Sequence, residues 1–480
     1  MSKLKTLLIN PPLSLEDRYG KQLKHFGALS EPMGLAYIAA SLQSYKYPVK
    51  ILDCPAMGIT LEQLAEHIKE CDFDIVGITM LTPMYSKVKK TAETIKKIRP
   101  KTKIIVGGAH ATALPEETLK DIPEIDFACV GEGEKTILDF VRFLEGEKNV
   151  EEVDGLFYRK DGIISRNKPR EFEANIDNFP PPSRDLLPIE KYKLTASRVM
   201  KGSFAPTLIV ARGCPFNCLY CSHPFGRTYR RHSVQRVIEE MESLMEKYDI
   251  REFNIEADSL AVDRNFVLSL CEEMIKKGIS KKIRWTCENR MDLIDEELLK
   301  KMKEAGCWQI SYGVESGVQR LLNLINKGET LEQMEKAFRL TKKIGITIRG
   351  FFMLGLPTET REESMKTIKF AKKIDPLWAQ FTITIPYPGT PLFEMLKKEG
   401  KIKSFNWDNY NTWGGWAEKT LPFVAEGRTE KELKLLQKKA LISFYMRPKV
   451  FFRFIKTINS LESFKKYSRG FFTLLKTSLK

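Results

Sequence analysis

The sequence predicts two successive α/β units and a helical tail: an N-terminal doubly wound, Rossmann-like domain, a partial (β/α)6 TIM-like barrel, and an α-helical C-terminal extension. Three observations carry this. Short β-rich apolar runs alternate with helical patterns from residue 5 to about 145, and again from 205 to about 390. A proline-rich break separates the two series. Beyond residue 390 the pattern turns helical and basic, and 480 residues exceed what one ordinary core holds.

In the first series, the apolar runs at 7–10, 49–52, 75–79, 104–106 and 127–130 have the length and composition of strands in a parallel sheet covered on both faces. Helical stretches such as 35–44 and 61–69 lie between them, with Pro or Gly at their boundaries. Such a sheet binds its ligand at the carboxyl ends of the strands. Those ends carry Asp53 to Gly58, Thr79 to Thr82, Gly107-Gly108 and Gly131-Glu132-Gly133-Glu134, loops of small or polar residues suited to backbone contact with a large polar ligand. The first domain is expected over 1–150. Residues 151–195 follow as a hairpin and linker: 156–164 reads as a hairpin about Asp161-Gly162, and Pro180-Pro181-Pro182 is a stiff connector.

The second series, expected over 196–395, has strand candidates at 208–211, 253–255, 283–286, 309–312, 346–352 and 381–385. Helical patterns follow the first five. Val234, Val237, Ile238, Met241, Leu244 and Met245 fall on one helical face, for example. Six strands are too few to close an eight-stranded barrel, so an open partial barrel is expected. Residues 396–480 form the basic extension, in which Arg447, Lys449, Arg453, Lys456, Lys465, Lys466, Arg469, Lys476 and Lys480 interleave with phenylalanines such as Phe444, Phe451, Phe452, Phe454 and Phe471. Such a helix either rests on a membrane surface or a lipid-like substrate, or packs its aromatics on the barrel.

Composition excludes several classes. Hydrophobic residues at 42% and charged residues at 29% describe a soluble globular chain, and no stretch approaches the roughly 18 apolar residues of a membrane span. The N-terminus reads as a first strand and not as a signal peptide, so the expected location is cytoplasmic, with peripheral contact at the inner face of the membrane left open by the tail. The net charge of +16 is mostly lysine on helix faces, a solvated surface, and nucleic acid is not an expected partner. Six of the nine cysteines (Cys54, Cys71, Cys129, Cys271, Cys287, Cys307) are scattered and read as small hydrophobes. No Walker loop, Gly-x-Ser-x-Gly elbow or hydrolytic carboxylate pair is present.

The other three cysteines cluster in Ala211-Arg212-Gly213-Cys214-Pro215-Phe216-Asn217-Cys218-Leu219-Tyr220-Cys221, directly after the first strand of the second series. Three thiolates on one loop can wrap one metal centre. Thiolates favour iron–sulfur clusters and zinc, and His223 could give zinc a fourth ligand. The second Cys-x-x-Cys-like knuckle usual at zinc sites is absent.

Cys-x-x-x-Cys-x-x-Cys with an aromatic before the last Cys, opening a six-unit βα series, resembles the radical S-adenosylmethionine enzymes. The resemblance implies that Cys214, Cys218 and Cys221 hold a 4Fe–4S cluster with one iron open. S-adenosylmethionine would chelate that iron, and one electron would cleave it to a 5′-deoxyadenosyl radical. The radical arises at the cluster, so no side chain is assigned a catalytic role; an electron donor such as flavodoxin or ferredoxin is implied. Tyr312-Gly313-Val314-Glu315-Ser316-Gly317, Met353-Leu354-Gly355-Leu356-Pro357 and Pro386-Tyr387-Pro388-Gly389-Thr390 are similar to the family's ends of strands four, five and six. Glu256-Ala257-Asp258-Ser259 stands where the family often has two adjacent acids; Asp258 is the candidate for the amino group, with Glu256 second. Tyr220, Asp258, Glu315, Ser316 and Gly355 are thereby the expected S-adenosylmethionine contacts.

The loops of the first domain resemble those of cobalamin-binding domains. Asp53, Gly58, Thr79, Thr82, Gly107, Gly108, Gly131 and Glu132 are the expected contacts, and His110 a loop or phosphate-tail contact. Where the best-known form has Asp-x-His-x-x-Gly, this chain has Pro55, which implies cobalamin with no protein histidine below cobalt. The whole resemblance implies a cobalamin-dependent radical enzyme, expected to be a C-methyltransferase acting on an unactivated carbon, and the basic aromatic tail points to a small, hydrophobic substrate (lipid, isoprenoid or tetrapyrrole). The first domain must then cap the barrel. Two rivals stand beside it: ring closure or oxidation with the same cofactors, as in the anaerobic magnesium-protoporphyrin ester cyclase-like members, and a cobalamin or iron–sulfur sensor, against which the intact Glu315-Ser316 and 355–359 loops argue.

Overall fold

The computed structural model describes residues 3–24, 27–195, 197–200, 204–450 and 453. Strands Thr6–Asn10 (β1), Val49–Asp53 (β2), Ile75–Thr79 (β3), Lys103–Gly107 (β4), Phe127–Cys129 (β5), Leu156–Lys160 (β6) and Ile163–Arg166 (β7) form a seven-stranded sheet in the order β2-β1-β3-β4-β5-β6-β7. β1 to β5 are parallel, and the hairpin β6–β7 adds antiparallel to β5 through Ala128↔Phe157. The segment expected as a linker hairpin is thus an edge of the first sheet. Helices cover both faces, as a buried parallel sheet requires. Leu64, Ile68, Val88 and Ile95 pack under Ile9, Val76 and Ile104 on one face, and Phe140 and Val141 pack against Ile75 and Ile105 on the other. Strand order reverses between β1 and β3, the switch point at whose carboxyl ends such sheets bind their ligands.

Strands Thr207–Ile209 (β8), Ala211–Arg212 (β9), Arg230–Arg231 (β10), Glu252–Glu256 (β11), Arg284–Asn289 (β12), Cys307–Glu315 (β13), Thr347–Leu354 (β14) and Trp378–Ile383 (β15) follow. Six of them make a parallel sheet in the order β15-β14-β13-β12-β11-β8, with no pairing of β8 to β15, so the barrel is open as expected. β9 and β10 pair antiparallel and clamp the two ends of the cysteine loop. Outward residues Phe253, Ile255, Trp285, Cys287, Ile310, Tyr312, Ile348 and Phe352 are buried beneath the helices. The inward set, including Asn254, Glu256, Thr286, Glu288, Gln309, Ser311, Arg349 and Gln380, is polar, whereas a closed barrel fills this space with branched aliphatics. The free edge of β15 is covered by the segment around Thr412, whose carbonyl accepts from the Ile383 N–H at 3.2 Å.

The helix Glu430–Tyr445 docks on β15: the Tyr445 hydroxyl bonds both the N–H and the carbonyl of Ala379 at 2.9 Å, and Phe444 is fully buried. The described start of the basic tail therefore packs on the barrel. Its cations Arg447, Lys449 and Arg453 all converge on Asp375, at 2.8, 3.0 and 2.5 Å. Lys456, Lys465, Lys466, Arg469, Lys476 and Lys480, with Phe451, Phe452, Phe454 and Phe471, lie outside the described residues. Among the described residues no helix is long and apolar enough to cross a membrane.

Two buried ion clusters join the units. Arg184 takes Glu31 at 2.6 Å, Glu240 at 2.7 Å and the Thr207 carbonyl at 2.6 Å. Arg212 and Arg230 share Glu132 at 3.0 and 2.9 Å, and Arg212 also takes Glu134 at 2.6 Å. Glu132 follows β5 and Arg212 opens the cysteine loop, so the carboxyl edge of the first sheet faces the carboxyl mouth of the barrel.

Candidate functional site

The cysteine loop leaves β9 through Gly213, whose φ is +85°; a Cβ there would lie 2.2 Å from the Thr228 carbonyl oxygen. Backbone bonds then fix the loop. The Cys214 N–H donates to Gly226, the Cys221 N–H to Cys218 and the Leu219 N–H to Ile325, at 3.3, 3.1 and 2.9 Å. Cys218 is buried, while Cys214 and Cys221 are partly accessible. The Arg290 guanidinium lies 4.0 Å from Cys218 Sγ and stacks over Phe216 at 3.8 Å. Burial pushes the Cys214 thiol up and the Cys221 thiol up to about 12, a cost that a metal taking the thiolates removes. Among the described residues no three Cys, His, Asp or Glu side chains converge as on a single metal ion. His223 Nε2 is buried without a partner and completes no Cys3His set. Three thiols spread over one loop, with no fourth, fit a cluster that gives each its own iron and leaves one open.

Beside the thiols lies a buried ionic network. Glu315 ends β13 at φ +62°, where the pairing with β14 shifts by a residue between Gly313 and Glu315. A Cβ on Gly313 would sit 2.4 Å from Glu315 Oε1 and 3.1 Å from Lys327 Nζ, so glycine makes room for this pair. The Tyr220 hydroxyl donates to Glu315 Oε1 at 2.9 Å, and Lys327 Nζ lies 3.6 Å from Glu315 and 3.3 Å from Glu329. Glu329 accepts from the Met291 N–H at 2.7 Å, and Arg290 pairs with Asp292 at 2.9 Å. Burial raises Glu315 above the usual carboxylate range, with the Lys327 charge opposing it. Burial works to lower Lys327, but the charges of Glu315 and Glu329 outweigh it and leave the ammonium above its usual value.

The structure brings Tyr220, Asp258 and Glu315 together around the thiols, since the charges of Asp258 and Glu315 both reach Cys221. Burial raises Asp258, against the pull of His223 and the Gly213 N–H. Ser316 and Gly355 shape the neighbouring loops. The Ser316 hydroxyl bonds Thr367 Oγ1 and accepts from the Val318 N–H, both at 3.2 Å, and Gly355 at φ +77° faces Leu433. Arg290, Lys327 and Glu329 were missed by sequence reasoning. Nothing distinguishes one buried lysine among 78 Lys and Arg, and only the interrupted run Lys327-Gly328-Glu329 after a short helix hints at it.

On the facing edge, the expected cobalamin contacts divide. Asp53 caps the helix Cys54–Met57 and is bonded by Asn10 at 2.8 Å and the Tyr192 hydroxyl at 2.7 Å. Thr82 Oγ1 meets His110 Nδ1 at 3.1 Å, and that ring is buried between Tyr85 and Trp407, where burial lowers it to about 4. Glu132 is taken up by Arg212 and Arg230. Gly58 and Gly108 remain exposed, and Thr79, Gly107 and Gly131 half-buried. Gly107 meets nothing nearer than Cys129 Cβ at 3.8 Å, while a Cβ on Gly108 would press the Met80 carbonyl at 2.9 Å. Among the expected contacts along this edge the accessible positions are four glycines and Thr79, so the backbone is open to contact. The edge fits a large flat ligand held by backbone, and Pro55 offers no metal-binding atom beneath it.

Residues 23–141 match the B12 binding domain family and residues 208–371 the Radical SAM superfamily. The chain is 37% identical to an uncharacterised methyltransferase of Pyrococcus horikoshii over 452 residues, 94% of each chain. It is 31% identical to an anaerobic magnesium-protoporphyrin IX monomethyl ester cyclase of Rubrivivax gelatinosus, over 79% of this chain and 68% of that one. A cytidylyl-2-hydroxyethylphosphonate methyltransferase of Streptomyces wedmorensis is 30% identical over 83% and 82%. Among solved structures, the radical S-adenosylmethionine methyltransferase TsrM from Kitasatospora setae, with cobalamin and a [4Fe-4S] cluster bound, matches at TM-score 0.71 and 16% identity over 93% of this chain and 90% of that one. The cobalamin-dependent S-adenosylmethionine radical enzyme OxsB matches at 0.74 and 18% over 97% and 70%. At these identities the two structures show a shared fold.

Proposed function

The chain belongs to the radical S-adenosylmethionine enzymes that carry a B12-binding domain, and from that premise we propose that it is a C-methyltransferase acting on an unactivated carbon. Its cofactors are a 4Fe–4S cluster, S-adenosylmethionine and cobalamin. When bound, the cluster supplies the electron that cleaves S-adenosylmethionine, and cobalamin carries a methyl group.

The chain's own residues do the rest. Cys214, Cys218 and Cys221 hold the cluster, and Arg290 beside Cys218 offsets negative charge on it. Asp258 receives the amino group of S-adenosylmethionine. The Tyr220–Glu315–Lys327 chain keeps the last cysteine and that subsite in register. Gly58, Thr79, Gly107, Gly108 and Gly131 form the strip that seats cobalamin. The observation that carries the reading is the facing of the two carboxyl edges across the Glu132–Arg212 contact: methyl transfer would need a cofactor held on the first edge to be within reach of a substrate in the barrel mouth.

The relatives in Pyrococcus horikoshii and Streptomyces wedmorensis are methyltransferases, which supports this reading, and the Rubrivivax gelatinosus cyclase supplies the rival one. Trideuteromethyl-labelled S-adenosylmethionine separates them. The anaerobically reconstituted protein, given cobalamin and a reductant, is expected to release 5′-deoxyadenosine and to move the label into product, and Cys218→Ala to do neither. An unlabelled, oxidised or cyclised product would establish the rival.

A further inference from the structure

One level of the barrel carries charges that the cofactor reading does not use. Glu256 and Glu288 stand side by side on β11 and β12, following the pairs Asn254↔Thr286 and Ile255↔Cys287. The same level continues through Glu288↔Ser311 and Ser311↔Arg349, so the two carboxylates and the Arg349 guanidinium all point into the barrel. Their outward neighbours Ile255 and Cys287 are at most 1% exposed, yet Glu256 and Glu288 are exposed although both lie in the middle of the sheet. That exposure is to space inside the barrel.

Among the described residues neither carboxylate has a hydrogen-bond or ion-pair partner. Arg349 donates only to the neutral Gln380 amide, at 2.7 Å, and covers Phe351. Arg198, from the segment ahead of β8, brings a second guanidinium. Its charge and that of Glu288 both reach Arg349, and both reach Glu256. Burial, and then the Glu288 charge, pushes Glu256 up to about 7. Unpaired enclosed charges are costly, and such sites are built for a ligand that completes them. Asp258 and Arg290, two residues farther along the chain and just past the ends of β11 and β12, stand beside the thiols, so this charged level adjoins the S-adenosylmethionine subsite.

Resting on the proposed radical chemistry, we infer that the substrate is a small polar molecule carrying both an anionic group, carboxylate or phosphate, which Arg198 and Arg349 bind, and an amine, which Glu256 and Glu288 bind. A hydrocarbon chain on this level would strand all four charges. The lipid, isoprenoid or tetrapyrrole expectation drew on the tail, whose described cations are instead held by Asp375.

Equilibrium retention tests this without turnover. The full-length protein, loaded with its cluster, cobalamin and S-adenosylmethionine but given no reductant, is dialysed against the aqueous phase and, separately, the detergent-solubilised organic phase of a chloroform–methanol cell extract. Retained compounds are identified by mass spectrometry. The expected result is a retained aqueous compound with an amine and a carboxylate or phosphate, whose retention falls at least about tenfold in Arg349→Met and Glu288→Gln and less in Arg349→Lys, with the cobalamin spectrum unchanged. Retention from the organic phase alone, retention of nothing, or a compound lacking either charge would overturn the inference from the wild-type protein by itself; so would equal retention by folded variants. No reductant is present, so failed methyl transfer leaves this result untouched.

Discussion

Lys327 shows how much of the site hangs on single residues. It is an ammonium buried between two carboxylates, and those carboxylates hold the Tyr220 hydroxyl and the Met291 N–H. Removing it leaves Glu315 without its cation and Glu329 with only Arg290, at 3.9 Å. Lys327→Met should therefore cost about 3–5 kcal/mol in urea unfolding, and raise the KM for S-adenosylmethionine as the Glu315 carboxylate that holds Tyr220 loses its counter-ion. Unchanged stability would mean the pair is not formed. His110 gives a pH-dependent counterpart. Burial takes its pKa from 6.5 in the unfolded chain to about 4, so between those values the unfolded chain binds more protons. The stability this ring contributes is complete above about pH 6.5 and is lost as pH falls toward 4. His110→Asn should flatten that part of the curve of Tm against pH, and an identical curve would refute the assignment. The cysteine cluster stands out in the sequence because its three thiols lie within eight residues. Arg290, Lys327 and Glu329 do not, because burial is what sets them apart, and burial belongs to the fold.

At the scale of elements, the outward half of each barrel strand was legible as apolar runs, since helices must cover it. The inward half was not, because polar residues at alternate positions look the same whether they face solvent or a cavity. Glu256 and Glu288 are the instances that matter. The hairpin about Asp161-Gly162 was legible as a hairpin, but its partner was not: β5 has only three residues, and the choice to pair with it is non-local. The cysteine loop lies between these cases. Its three thiols are local, but its shape depends on Gly213 passing under the Thr228 carbonyl. Gly213→Ala must move that carbonyl or leave positive φ, so the visible absorbance of the reconstituted cluster should be lost while the far-ultraviolet circular dichroism is kept. Retained cluster absorbance would show that the loop tolerates another path.

For the whole molecule, the question is what holds the two sheets mouth to mouth. Apolar contact contributes through Leu114, which packs with Ile383, Phe393 and Trp407. The ionic contribution comes from two clusters, Arg184 with Glu31 and Glu240, and Glu132, a carboxylate shared by Arg212 and Arg230 that also accepts from the Glu173 N–H at 3.0 Å. That carboxylate was expected to meet cobalamin, and the structure gives both its oxygens to docking contacts. Glu132→Gln keeps the shape but leaves two buried guanidinium groups with only Glu134 as a full counter-charge, a loss of about 2–5 kcal/mol. A loss of that size should uncouple the units. Wild-type protein is expected to melt in one calorimetric transition. Glu132→Gln should melt in two, with faster amide exchange across 167–183, the segment between β7 and the Arg184 contact. Glu134→Gln, which removes one ion pair and leaves the shared carboxylate, should keep one transition at a lower Tm. A single unshifted transition in Glu132→Gln would place the docking energy in the Leu114–Trp407 contact and the Arg184 cluster, and the Glu132 cluster would then serve to orient the two mouths more than to hold them together.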